Sequence, residues 1–201
     1  TRISALTPTA RVATADSIGL SLVNAGTGDV SLLAGTSIVD NDASGTVNVQ
    51  ATNLRMVATA GLIGNSDVGT PAVNDNAIDL EVATVAASAD DGIYLHETTT
   101  GGALEIGSVA AIDVTQVNFD SSTETVSDAA TLAGLTTATD GPIKLVASDG
   151  TLTVSNAVSA HGTGDVLLDA QGTDNDVVID AAVTSGAGNV TITAADDVDQ
   201  D

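Results

Sequence analysis

One seven-residue pattern occurs three times in the C-terminal part of the chain, and this repetition constrains the fold more than any other feature. The copies are GPIKLVA at 141–147, GDVLLDA at 164–170 and GNVTITA at 188–194. A second pattern lies between them, at 149–164 and again at 175–188, so the repeating unit is about 23–25 residues long. Repeats of this length predict a solenoid, in which each unit buries its apolar face only by stacking on the next.

The repeats alternate apolar and polar residues, which is typical of a strand that buries one face. Val166 and Leu168 share one face of the second copy, and Val190 and Ile192 share the same face of the third. We therefore expect these four side chains to lie in the core of adjacent turns. Aromatic residues make up only 1% of the chain, so small aliphatic side chains must fill the interior. Looser copies of the pattern lie at 28–34, 45–51 and 77–83.

The spacing predicts one domain over residues 1–201: an all-β parallel β-helix with turns of about 23–25 residues, or a segment of a longer one. Two stretches break the spacing, GNSDVGTPAVNDN at 64–76 and a Ser-, Thr- and Asp-rich stretch at 119–141. We predict that both are inserted loops, because lengthening a surface loop costs only about 0.6 kcal/mol per doubling.

Pairs of glycines precede several predicted strands, such as Gly162 with Gly164 and Gly186 with Gly188. Glycine suits a tight corner because it accepts positive φ without a steric penalty. No G-x-G-x-x-G motif follows a strand and opens a helical pattern, so these pairs do not predict a nucleotide site. They predict the corners of the solenoid.

The chain is strongly acidic, with 27 Asp and Glu residues against four Lys and Arg and a formal net charge of −23. Such a chain repels nucleic-acid phosphates and anionic membranes, so we expect neither as a partner. No apolar run approaches the length of about 20 residues that spans a bilayer, and no membrane insertion is expected. The absence of Cys is compatible with both a reducing cytosol and export. Cations and basic partners are therefore favoured.

The combination of G-[DN]-V-x-[LI]-x-A, a short turn, x-[LV]-x-[VI], AV[ST] and a Gly-rich corner resembles the repeats of filamentous haemagglutinin-type adhesins, which are large bacterial surface proteins. The resemblance covers residues 141–194 well and 24–60 moderately. It implies a right-handed parallel β-helix, export from the cell, and a rod that serves as a stalk or as an adhesive surface.

Polysaccharide-degrading enzymes also use parallel β-helices, and Asp90 and Asp91 with His161 and Gly162 are similar to the paired aspartates and His-Gly of polygalacturonases. Paired carboxylates can protonate a leaving oxygen and activate water across a bound sugar. Here the Asp pair and His161 are separated by about 70 residues, or three turns, and few cations lie nearby to hold an anionic sugar. His96 and His161 predict no triad, since no Cys or G-x-S-x-G motif accompanies them. We therefore expect no catalytic residues and no enzyme.

Oxygen ligands suited to calcium are abundant. Calcium takes six to eight oxygens, and D-N-D turns offer several within a few residues. No segment matches an EF-hand loop or a G-G-x-G-x-D nonapeptide, and Asp and Asn also cap turns by bonding to their own backbone. Two histidines without cysteine do not predict a zinc site. The calcium candidates are Asp40, Asp42, Asp75, Asp174 and Asp176, with a further acidic run at Asp196, Asp197, Asp199 and Asp201.

Three classes of function remain. The first is a structural or adhesive repeat segment of an exported bacterial cell-surface or extracellular fibre protein, with a host or surface ligand as a possible partner. The second is a self-assembling sheath, surface-layer or matrix filament subunit. The third is a polysaccharide-degrading enzyme, which the scarcity of aromatic residues for sugar stacking disfavours. No amphipathic helix pattern follows the strand at 188–194, so we expect further repeats of the same polypeptide, or a second copy, to cover it end to end.

Overall fold

The computed structural model of the chain describes residues 2–4, 9–42, 45–66, 76–98 and 102–200, with residues 2–4 as backbone only. Within these residues the secondary structure consists of 25 β-strands and includes no helix. In chain order the strands are β1 Arg2–Ser4, β2 Thr9–Thr14, β3 Ile18–Leu20, β4 Leu22–Asn24, β5 Asp29–Ala34, β6 Ile38–Asp40, β7 Val49–Gln50, β8 Asn53–Ala58, β9 Ile78–Glu81, β10 Thr84–Ala89, β11 Ile93–Glu97, β12 Leu104–Ile106, β13 Ser108–Val109, β14 Asp113–Val117, β15 Thr123–Ser127, β16 Leu132–Ala133, β17 Leu135–Thr137, β18 Ile143–Ala147, β19 Leu152–Val154, β20 Val158–Ala160, β21 Val166–Ala170, β22 Val177–Ile179, β23 Val183–Ser185, β24 Val190–Ala194 and β25 Val198–Gln200.

Two long parallel sheets contain most of these strands. The first long sheet has the order β1-β4-β7-β9-β11-β18-β21-β24, and the second runs β2-β5-β8-β10-β12-β19-β22-β25 with β17, β20 and β23 beside it. Each strand of the first sheet is followed directly in the chain by a strand of the second. The predicted all-β class with parallel strands is therefore confirmed.

The strand register explains the repeat seen in the sequence. Ile143 pairs with Val166 and Val166 pairs with Val190, so successive partners stand at the same position of successive repeats. Between β11 and β18 the interval is larger, because Ile93 pairs with Ile143. The extra residues belong to an insertion that leaves the second long sheet after β12 and returns to it at β17.

The core consists of aliphatic side chains that stack in rows across neighbouring strands. Val166 and Leu168 are buried, as predicted. The prediction that Val190 is a core residue is wrong, since 43% of its surface is exposed, and Ile192 is only partly buried against the core. Strand β24 pairs on one side alone among the described strands, so nothing described covers these two side chains from the other side.

The second predicted loop, 119–141, is corrected by the structure, because it contains β15, β16 and β17. Strands β14 and β15 form an antiparallel hairpin, β13 and β16 pair beneath it, and β17 already belongs to the second long sheet. We call residues 107–134 the hairpin insertion. Its outer strands are exposed on both faces, so they lack the apolar alternation by which a buried strand is recognised. The first predicted loop, 64–76, lies largely outside the described residues.

Two arginines, Arg55 buried and Arg11 partly buried, hold the hairpin insertion against the second long sheet. Asp128, which follows β15, accepts a hydrogen bond from Nε of Arg11 on β2 and pairs with Nη1 of Arg55 on β8, both at 3.0 Å. The side chains are 13%, 8% and 4% exposed for Arg11, Arg55 and Asp128. Burial alone would raise the pKa of Asp128. The pKa is nevertheless lowered from its ordinary value of 3.8 by hydrogen bonds from Arg11, Ser31 and the backbone N–H of Ile112, and by the charge of Arg55. Two of the four basic residues of the chain thus serve this contact.

Glycines form one corner of the stack. Gly162 has a φ of 55°, as the predicted corner requires. Gly164 and Gly188 are needed for a different reason: a Cβ at Gly164 would collide with the carbonyl oxygen of Gly141, and a Cβ at Gly188 with that of Gly164. The backbones of successive repeats therefore approach too closely here for any other residue.

Candidate functional site

Three polar side chains converge on the outward face of the first long sheet. Asp79 lies on β9 and His96 on β11, and the two residues are direct partners in the parallel register. Ser148 follows β18, the next strand of the sheet, and its backbone N–H donates to the carbonyl of Glu97 at 2.9 Å. Because the alternate residues of these strands enter the core, these three side chains are directed to the opposite face.

The three side chains form a continuous hydrogen-bonded chain, which we call the Asp79–His96–Ser148 relay. Nδ1 of His96 lies 2.7 Å from Oδ1 of Asp79, and Nε2 of His96 lies 2.7 Å from Oγ of Ser148. A carboxylate only accepts hydrogen bonds, so an ionised Asp79 places the proton of this contact on Nδ1, and Nε2 can then accept from the serine hydroxyl. This is the proton arrangement of an activated serine.

Burial increases towards the carboxylate end of the relay. Asp79 is fully buried, the side chain of His96 is 22% exposed, and Ser148 is half-buried. Asn48 fixes Asp79 through two contacts: Asp79 N–H donates to Oδ1 of Asn48 at 2.8 Å, and Asn48 N–H donates to the carbonyl of Asp79 at 2.9 Å. The Oδ2 atom of Asp79 has no hydrogen-bond partner in the described part of the chain. The relay is therefore rigid at its buried end and accessible at its serine.

The sequence predicted that His96 takes part in no triad, and the structure joins its ring by hydrogen bonds to both Asp79 and Ser148. The three residues are 17 and 52 positions apart, and no motif joins them in the sequence. The register of β9, β11 and β18 brings them together, and the hairpin insertion accounts for the longer of the two separations. The alternation of Asp79 with Ile78 and Leu80 placed its side chain on the outward face, but the sequence held no sign of which strands would be neighbours.

The calcium candidates do not form a single site. Asp40 accepts hydrogen bonds from the backbone N–H of Asp42 and from Nδ2 of Asn48, both at 2.8 Å, and burial is the main cause that raises its pKa. Asp40 therefore caps its own turn. Asp174 and Asp176 lie several strands away, before β22, and Asp75 lies outside the described residues.

Asp176 instead meets the acidic run near the end of the chain, of which Asp201 lies outside the described residues. Carboxylate oxygens of Asp176, Asp196 and Asp197 lie within 4.8 Å of one another, and the backbone N–H of Asp197 donates to Asp176 at 3.1 Å. The negative charge of Asp197 is the main cause that raises the pKa of Asp196, and burial and the charges of Asp176 and Asp174 add to it. We call Asp176, Asp196 and Asp197 the acidic end cluster. Their oxygens fit part of a calcium shell, which needs six to eight.

The residues considered for sugar cleavage stand closer than the sequence predicted. Asp90 lies next to Thr139, whose N–H donates to the Asp90 carbonyl at 2.7 Å, and His161 belongs to the following turn. Asp90 and His161 are therefore about two strand spacings apart, roughly 10 Å, and not three turns. The difference arises because the segment between them includes the hairpin insertion. In the described part of the chain, these side chains are not joined by a hydrogen bond.

No family model, no curated protein and no solved structure matches this chain. The resemblance to filamentous haemagglutinin-type repeats thus stays a prediction. Across the described ranges, the chain has no helix of the length and apolarity needed to span a bilayer.

Proposed function

We propose that the chain is a parallel β-helix, wound right-handed with one sequence repeat in each turn. The regular alternation of strands between the two long sheets supports this, as do the buried rows of aliphatic side chains that run across the stacked strands. The right hand is the one that parallel strands joined by a crossover adopt in nearly all proteins. Eight strands at about 4.8 Å spacing span roughly 34 Å along the stack.

The proposed role is that of a structural or adhesive repeat segment in an exported bacterial cell-surface or extracellular fibre. The observation that carries the proposal is the stacking of like repeats, since β18, β21 and β24 stand one repeat apart in the sequence and pair in parallel register. β24 and β25 are the last strands of their sheets, each pairs on one side only among the described strands, and Val190 and Val198 are 43% and 48% exposed. Unpaired strand edges with exposed aliphatic side chains form a template for further β-structure.

The same end face supports the alternative of a sheath, surface-layer or matrix filament subunit. The two alternatives differ in whether the next turn belongs to the same polypeptide or to a second copy. A head-to-tail contact between copies is heterologous and propagates as a filament instead of closing. The bacterial surface itself is proposed from the resemblance of residues 141–194 and from the strongly acidic composition.

Imaging at high protein concentration tests the proposal. We expect negative-stain electron microscopy to show filaments if copies stack. Val198→Asp should shorten or abolish such filaments, because it replaces an exposed aliphatic side chain of the last strand with a negative charge beside the acidic end cluster. Val117→Asp is the matched control, since Val117 is also an exposed valine but lies on the hairpin insertion. A far-UV circular dichroism spectrum dominated by helix would contradict the β-helix. Equal filaments from both variants would contradict stacking through this end.

A further inference from the structure

We propose that Ser148 is an activated nucleophile, with His96 as its general base and Asp79 as the residue that positions the imidazole, and that it accepts acyl groups from esters. This inference is independent of the structural role proposed above. It rests on the Asp79–His96–Ser148 relay, and a groove further along the same strands bears on the choice of substrate.

The geometry meets the requirements of an activated hydroxyl. A nucleophilic serine needs a base within about 2.6–3.2 Å, and that base needs a third group to orient it. Both contacts of His96 are 2.7 Å. The carboxylate is fully buried, and the serine is not. The proton therefore has a defined path from Oγ of Ser148 to Nε2 of His96.

A neighbouring polar row on the same sheet shows what a merely structural contact looks like. There Asn24 donates to Gln50, and Gln50 donates to Glu81, through side chains on β4, β7 and β9. Amide and carboxylate groups bond across adjacent strands in this row, and it contains neither an imidazole nor a hydroxyl. The Asp79–His96–Ser148 relay differs because it places a titratable ring between a carboxylate and a hydroxyl.

An open groove of about 540 Å³ lies further along the same strands, and none of the three relay residues lines it. Tyr94 lines it and lies two residues before His96 on the same face of β11, about 7 Å away. Lys144 lines it on the neighbouring strand, as the register partner of Tyr94. An apolar or aromatic group can pack on Tyr94, and an anionic group can pair with Lys144. Lys144 stands four residues before Ser148, roughly 13 Å along the strand, so the favoured substrates are esters whose acyl chain reaches that far and carries such a group.

The reaction balances without any cofactor. Oγ of Ser148 attacks the ester carbonyl carbon, a C–O bond forms, and the hydroxyl proton passes to Nε2 of His96. When the tetrahedral intermediate collapses, the bond to the leaving alcohol breaks and the alkoxide takes that proton. Water then cleaves the acyl-serine by the same path and releases the carboxylic acid.

A fluorophosphonate probe tests the nucleophile directly, because displacement of fluoride leaves a phosphorus–oxygen bond on the reacting serine. We expect the intact, folded chain to take up one label. Mass spectrometry after digestion should place that label on the peptide that contains Ser148. Ser148→Ala should remove it, and His96→Gln should slow labelling by about 100-fold or more, the usual contribution of a general base. Ser155→Ala and His161→Gln are matched controls that should label at the parental rate.

Melting curves separate loss of reactivity from loss of fold, since each variant must unfold at the parental temperature for its labelling to count. Hydrolysis of a p-nitrophenyl ester with an anionic acyl group provides a second readout and should follow the same order of variants. An unlabelled, folded parent would overturn the proposal. A label on another residue, or labelling at Ser148 that His96→Gln leaves unchanged, would overturn it equally.

Discussion

Leu168 and Ile192 occupy register-paired positions on β21 and β24, yet their surroundings differ. Leu168 has a paired strand on either side and is fully buried, whereas Ile192 has a described partner on one side only and is partly exposed. The free energy that each side chain contributes depends on the surface it removes from water and on the cavity its loss would leave. Equivalent positions in the repeat are therefore not equivalent in energy.

Truncating these two residues should reveal that difference. Leu168→Ala should lower the free energy of unfolding by about 2–5 kcal/mol, because it opens a cavity between two stacked strands. Ile192→Ala should cost clearly less, since its site is already open. Urea denaturation measures both, and Thr191→Ala, an exposed position on β24, is the control. Equal losses for Leu168 and Ile192 would mean that the last strand is covered in solution.

At the scale of elements, one carboxylate makes the ionic attachment of the hairpin insertion, beside the bond from Arg55 to the carbonyl of Ala130. Asp128 bonds both Arg11 and Arg55, and all three side chains are largely buried. Removing one member of such a group leaves charges buried without a partner, which costs about 3–5 kcal/mol. The insertion adds no strand to the long sheets. Detaching it from the second long sheet therefore need not unfold either sheet.

Acid titration tests this attachment. The pKa of Asp128 is lowered from 3.8 in the folded state, so its stabilisation is complete above pH 3.8 and is lost as the pH falls below that value. Asp128→Asn should increase hydrogen exchange in β14 and β15 at pH 7. The difference from the parent should shrink as the pH falls through the lowered pKa of the folded Asp128, where the parental carboxyl also becomes neutral. Glu124→Gln, which neutralises an exposed carboxylate on β15 of the same hairpin, is the control. A difference that persists unchanged in acid would contradict the ionic attachment.

At the scale of the whole molecule, acidity dominates the electrostatics. A formal charge of −23 makes the folded state repel itself, and the acidic end cluster concentrates that repulsion. The pKa of Asp196 is raised and that of Asp128 is lowered, so the two carboxyl groups change the stability of the fold in opposite directions as the pH falls. Above its raised pKa, the charged carboxylate of Asp196 lowers the stability of the fold through repulsion. Protonation removes this repulsion as the pH falls through that pKa.

Calcium should stabilise the chain beyond the effect of ionic strength. We expect a higher melting temperature in millimolar calcium than in sodium chloride of matched ionic strength, because an ion bound only by the folded state shifts the equilibrium towards it. The double variant Asp196→Asn and Asp197→Asn should remove the excess. Asp113→Asn with Glu124→Gln removes the same charge from the hairpin insertion and should retain it. Equal melting in both salts would leave screening as the entire effect.

The sequence by itself determined the all-β class, the parallel stacking and the buried faces of strands such as β21. Each of these follows from local alternation and from a spacing that neighbouring repeats share. The acidic character and the small aliphatic core are likewise properties of composition. They do not depend on which distant segments meet.

Only the tertiary structure decided the Asp79–His96–Ser148 relay, the attachment of Asp128 and the exposure of Val190. The relay depends on which strands become neighbours, and the hairpin insertion displaces that register between β12 and β17. Asp128 meets an arginine 117 positions earlier through an insertion whose strands have no apolar face. Val190 has the same local pattern as the buried Val166, and it is exposed because burial depends on the strand that lies beyond it. Local patterns determine the face of a strand, but contacts between strands are set by the register and by what covers the ends.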